Sequence, residues 1–238
     1  MMDLSNILTI FKREIRSYFN SAVAYVVIVV FLAIIGWFFT TNLFLANVAS
    51  LRLVFELVPL IFLFFVPAIT MRLLAEEKKS GTLELLTTKP VRDIEIILGK
   101  FLAAWSLLAA ALLPTLIYFI TLVSIGRIDV GPVISGYFGL LLMGAVYIAL
   151  GVFASSLTEN QIIAFIVGFL LVFAFFMLDK ILLWVPEGLT TVVEFLGVNY
   201  HFSNIARGVI DTRNLIYFIS ITGFSLLLAT VSLERRKW

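Results

Sequence analysis

Side chains able to do chemistry are few in this sequence, and they cluster. Eleven of its 32 acidic and basic residues fall within "MRLLAEEKKSGTLELLTTKPVRDIEIILGK", Met71 to Lys100, and apolar sequence lies on both sides. Glu76, Glu77 and Glu84 stand there beside Lys78, Lys79 and Lys89, a set suited to ion pairing and docking. Catalysis has less to work with. A nucleotide-binding G-x-x-x-x-G-K-[ST] loop is absent, because Gly99-Lys100 lacks the upstream glycine and the following Ser or Thr. The absence of cysteine excludes disulfides and thiolate metal sites. The single histidine, His201, needs carboxylates such as Asp211 or Glu194 before it could hold a metal. No candidate membrane span carries Asp, His or a G-x-S-x-G nucleophile turn, so an intramembrane enzyme is the least supported function class.

The elements that position these residues are set by composition. The chain is 62% hydrophobic and 13% charged, against roughly 25% charged for ordinary soluble domains. Its solvent is therefore a bilayer, and a net charge of +2 gives no reason to expect a nucleic-acid partner. A spanning helix needs about 20 mostly apolar residues. Six stretches qualify: about 22–40, 53–74, 101–123, 131–155, 162–178 and 215–233. Each keeps its charges at its ends, as expected when a mid-bilayer charge costs about 2.5–3.5 kcal/mol. The expected fold is an all-α membrane protein, a single domain over 1–238 with six transmembrane helices.

Six spans place both termini on one side. With that side cytoplasmic, twelve Lys and Arg are inside and five outside, a positive-inside bias. No cleaved signal peptide is expected, since about twenty residues precede the first apolar run and no A-x-A site follows it. Within 1–20, Leu4, Ile7, Leu8, Phe11, Ile15 and Phe19 share one helical face while Lys12, Arg13 and Arg16 mark the other. This is the pattern of a helix lying in the headgroup layer; the plainer reading is an extension of the first span.

The 72–100 segment reads as a helical hairpin. The second span continues through "RLLAEEKK" to Ser80-Gly81, where glycine can take the left-handed geometry that ends a helix. The short helix "TLELLTT" follows, and Pro90 suits a first helical position. Leu83, Leu85 and Leu86 cannot share one face of so short a helix, so some apolar surface should meet a partner. The competing reading is a solvated loop whose charges only fix topology. Pro59, Pro67 and Pro114 should bend the two spans that flank the hairpin.

Residues 181–214 are too polar to cross and too apolar for a free loop. Leu189, Val192, Val193 and Leu196 form one stripe and Phe202, Ile205 and Val209 another, with Gly197 and Asn199 between them. Two short helices entering the outer leaflet fit, either capping a path or anchoring the last span. Asp211 and Arg207 are spaced to pair across one turn. Asp179 and Lys180 read as interface anchors, and Ala145 with Ala149 and Gly151 with Ser155 are small pairs that let helices approach, within one chain or between two.

"EEKKSGTLELLTTKPVRDIEIILGKFLA" strongly resembles the loop between the second and third spans of ABC-2-type transporter permeases, whose pattern is E-x-x-x-G-T-x-E-x-L-L-T-x-P-like. The likeness extends to the interfacial N-terminal helix, six spans and long external segment, the architecture of type V ABC exporters. It implies a coupling helix seated in a separate ATPase subunit: Glu76 and Glu77 facing basic residues, Gly81 and Thr82 making the turn, Glu84, Leu85 and Leu86 forming the seated helix. It further implies two ATPase copies that bind ATP and Mg, no cofactor in this chain, and a second permease copy, identical or paralogous. The external segment would be a re-entrant helical hairpin, and the location a bacterial cytoplasmic membrane. "NYHFSNIARGVIDTRNLIYF", with His201, Arg207, Gly208, Asp211 and Arg213, looks like the equivalent stretch of gliding-motility-associated ABC permeases. That narrower likeness implies a membrane-anchored partner with a large external domain. Export of an amphipathic cargo and mechanical work on an external partner both stay open, whereas charge-free spans argue against an ion-coupled transporter.

Overall fold

The computed structural model describes residues 3–83, 91–126, 129–181 and 186–235. Among the described residues there are helices and no strands. Helix α1 (Leu4–Asn20) starts where the Asp3 carboxylate accepts from Ser5 N–H at 2.9 Å, a standard N-cap. It ends at Ser21, whose N–H reaches Tyr18 O and whose hydroxyl caps α2 (Ala22–Phe44) by accepting from Val23 N–H at 3.3 Å. One residue thus stops an amphipathic helix and starts an apolar one. In α2 the buried Phe31, Ile35, Phe39 and Leu43 repeat every four residues, and Tyr25, Val26, Val29 and Trp37 face outward. Exposed apolar side chains of this kind are natural when the surroundings are lipid.

Helix α3 (Arg52–Thr70) contains Pro59 and Pro67, and after a break at Met71 it continues as α4 (Arg72–Lys79). Gly81 follows at φ 69°, the left-handed conformation expected of a helix-ending glycine. Residues 84–90, including Glu84, Leu85, Leu86 and Pro90, lie outside the described residues. The next described helix, α5 (Asp93–Leu112), begins after an Arg92 cap, three residues beyond Pro90. Pro114 sits in a 3-10 turn (Leu113–Thr115) that joins α5 to α6 (Leu116–Ile125). The missing proline N–H accounts for the change of winding.

Helix α7 (Val130–Ser156) is the hub, with Val146, Tyr147, Ile148 and Ala149 fully buried. It packs against α3, α5, α8 (Gln161–Met177), α10 (Val198–Ala206) and α11 (Thr212–Glu234). The small pair Gly151 and Ser155 works inside the chain: a Cβ on Gly151 would lie 2.2 Å from Thr70 Oγ1. Ser155 Oγ accepts from Leu74 and Ala75 N–H and donates to Met71 O, each at 3.1 Å. A side chain of α7 therefore serves the backbone groups at the α3–α4 break.

Among the described residues, five helical stretches are long and apolar enough to cross a membrane: Ala22–Phe44, Arg52–Lys79, Asp93–Ile125, Val130–Ser156 and Thr212–Glu234. The expected fifth span corresponds to α8, which at 17 residues is at the lower end of the range of about 17–25. The stretch between α8 and the last long helix holds α9 (Glu187–Leu196) and α10, separated by Gly197. Asn199 lies inside α10 rather than between the helices, and Val209 lies beyond its end and is exposed, so the second apolar stripe is shorter than its spacing suggested.

Candidate coupling site

At the end of the bundle where α4 ends and α5 begins, α1 is fastened to the base of α5 at two levels. At the first level, Glu95 accepts from Asp3 N–H at 2.8 Å, Asn6 Nδ2 at 3.0 Å and Arg92 N–H at 3.2 Å. At the second, Lys100 Nζ donates to Glu14 Oε1 at 3.0 Å and lies 2.9 Å from Glu77 Oε2. Arg13 closes the cluster by pairing with both Glu14 and Glu77. The Lys100 side chain is 1% exposed, and Glu14 and Glu77 are 12% and 14% exposed. Between the two levels the helices approach closely, since a Cβ on Gly99 would lie 2.7 Å from Ile10 Cγ2 and 3.1 Å from Ile7 O.

The cluster joins three elements: α1 through Arg13 and Glu14, α4 through Glu77, and α5 through Lys100. Two positive and two negative groups balance, with Arg13 at the solvent edge offsetting the second of the two nearly buried carboxylates, since an unpaired buried charge is costly. Tyr18 adds a further tie by donating to Ile69 O at 3.0 Å. Burial, then the nearby Glu14 carboxylate, push its phenol well above the usual range, so Tyr18 stays a donor.

Of the residues singled out for docking, Glu77 is thus engaged inside the chain. Glu76 accepts from Arg72 at 2.8 and 3.1 Å and is 46% exposed. Thr82 Oγ1 contacts Ser80 Oγ at 2.9 Å and donates to Glu77 O at 3.4 Å, bracing the turn at Gly81. Leu83 is buried in the core, so the apolar surface offered by this segment does not include it. Sequence reasoning missed Glu14, Lys100 and Ser155. Gly99, a glycine inside a helix next to a lysine, was the available signal for a close crossing.

At the opposite end, His201 is buried. Its Nδ1 lies 2.7 Å from Asn214 Oδ1, its Nε2 lies 2.7 Å from Phe195 O, and its ring stacks on Tyr217 at 3.9 Å. Both ring nitrogens are therefore used in joining α9, α10 and α11. Asp211 does not pair across a turn with Arg207: α10 ends at Ala206, and the Asp211 carboxylate caps α11 by accepting from Arg213 N–H at 2.9 Å. Asp179 accepts from Asn199 Nδ2 at 3.1 Å and pairs with Lys180 at 3.2 Å. Asp179, Lys180 and Asn199 line a vestibule of about 1120 Å³, together with Phe55, Pro59, Phe176 and Phe202 and the charged Glu56, Asp129, Glu194 and Arg207.

In comparison with known protein families, residues 6–233 match the model of the ABC-2 family transporter proteins. No curated protein matches the sequence.

Proposed function

The chain belongs to the ABC-2 family of transporter membrane proteins, and from that premise we propose that it is the six-span permease of an exporter whose 72–100 hairpin seats in a separate ATPase. Membership makes it the multi-pass membrane subunit of an ABC transporter, and such subunits work with an ABC ATPase partner. The finer reading adds cytoplasmic termini, two ATPase chains that bind ATP and Mg, and a second permease copy. The carrying observation is the buried Glu14–Lys100–Glu77 cluster. It binds α4, the arm that enters the hairpin, to α5, the arm that leaves it, and to α1. A push on 84–86 would then move three helices together rather than bend a loop.

Co-expression with an ABC ATPase subunit from the same genome is the test. The pair Glu84→Arg and Leu86→Asp should cut complex yield by about tenfold, the ratio that 1.4 kcal/mol gives, with membrane insertion unchanged. Undiminished yield would contradict the coupling role.

A second reading, mechanical work on an external protein of the kind found with gliding-associated permeases, draws on the charged rim of the outer vestibule, where Arg207 and Glu194 edge a large opening. If it holds, Arg207→Glu should release the external partner and leave ATPase stimulation intact. Export alone predicts no such partner.

A further inference from the structure

The bundle end that carries α1 also holds a cavity of about 270 Å³, separate from the outer vestibule. One side is polar, formed by Arg13 and Ser17 of α1, Ser21 between α1 and α2, Arg72 and Glu76 of α4, and Lys100 of α5. The other side is apolar, with Val23 and Val27 of α2 and Ala68 and Ile69 of α3. The division follows from the turn at Ser21, where a headgroup-type amphipathic helix meets a spanning one. An occupant must therefore be polar at one end and apolar at the other.

Charge narrows its class. Arg13, Arg72 and Lys100 face Glu14, Glu76 and Glu77 around the same space, three against three. Basic pockets between spans take anionic lipids, but a net anion here would bring uncompensated charge, whereas a zwitterion would not. The two groups with most room to engage it carry opposite sign: Arg13 is 52% exposed and Glu76 46%. A guanidinium suits a phosphate, and a carboxylate suits a primary ammonium that can donate to it. Ser21 Oγ already accepts from Val23 N–H, which leaves its O–H to donate. The volume is below the roughly 300–1,000 Å³ of drug-sized pockets, room for a head group with its acyl chains lying along α2.

We propose that this cavity binds the head group of phosphatidylethanolamine, with the phosphate at Arg13 and the ammonium at Glu76. Lipid retention needs no ATPase, so its outcome is separate from that of the coupling test. The delipidated full-length chain is titrated with phosphatidylethanolamine, phosphatidylcholine or phosphatidylglycerol, and retained lipid is counted by native mass spectrometry. Phosphatidylethanolamine should be retained about tenfold better than either other lipid. Soluble glycerophosphoethanolamine should compete weakly. Ala68→Leu, which fills the apolar side without touching the charges, should erase the preference while thermal unfolding stays in place. Glu76→Gln should remove the discrimination against choline, and it keeps the test open if Ala68→Leu fails to fold. Equal retention of all three lipids, a preference for phosphatidylglycerol, full displacement by the soluble head group, or a preference that survives Ala68→Leu would each overturn the proposal.

Discussion

Lys100 shows how a single side chain can hold three helices. Its ammonium sits between Glu14 and Glu77 with almost no access to solvent, so removing it leaves two carboxylates that water can barely reach. Lys100→Met should therefore lower stability by about 3–5 kcal/mol, the usual result of breaking a buried pair from one side. Replacing the whole set with Glu14→Gln, Glu77→Gln and Lys100→Met should recover most of that loss, because nothing buried then stays unpaired. Thermal unfolding of the three forms in one detergent checks this. Equal loss in the single and triple variants would mean that the cluster acts by packing alone. Ser155 makes a smaller but local contribution: Ser155→Ala strips the acceptor from Leu74 and Ala75 N–H and should cost about 1–3 kcal/mol. Hydrogen exchange at residues 74 and 75 should quicken while α7 stays protected.

Between helices, the approach of α1 to α5 depends on Gly99. Alanine is the better helix former by about 1 kcal/mol, but its Cβ would meet Ile10 at 2.7 Å, so Gly99→Ala should destabilise. Adding Ile10→Gly, which removes the Ile10 Cβ at 2.8 Å as well as Cγ2, should relieve it, and a double-mutant cycle should show coupling of about 0.5–3 kcal/mol. Additive effects would place α1 elsewhere. The sequence already shows why these elements exist: apolar runs mark the spans, Gly81 marks the end of α4, and Gly197 divides α9 from α10. It does not show how they meet. Glu14 and Lys100 are 86 residues apart, and in a linear reading each is one more charge near the end of a span. The α1 face read as apolar splits in three dimensions, with Leu4, Leu8 and Phe19 exposed and Ile7 turned to α5 beside Ile10. His201 was legible as a chemical group, but its partners Asn214 and Phe195 are set by helix packing, which no spacing rule gives.

As a whole, the molecule is a bundle around α7 with an ion cluster at one end and a charged vestibule at the other. The prolines belong to this scale. Pro67 precedes the break at Met71 and Pro114 makes the 3-10 turn after α5, so regular α winding is interrupted in both helical stretches that flank residues 80–92. Pro67→Ala with Pro114→Ala should reduce permease-stimulated ATP hydrolysis while complex yield holds. An unchanged rate would rule out these bends as levers. The most direct test of the coupling claim uses the absence of native cysteine: Leu86→Cys, carrying a photo-crosslinker, is placed in membranes with the partner ATPase, and Tyr200→Cys at the opposite end serves as control. The account predicts an ATPase adduct from position 86 whose yield changes when ATP is added, and none from position 200. No adduct from position 86, or equal adducts from both, would contradict it.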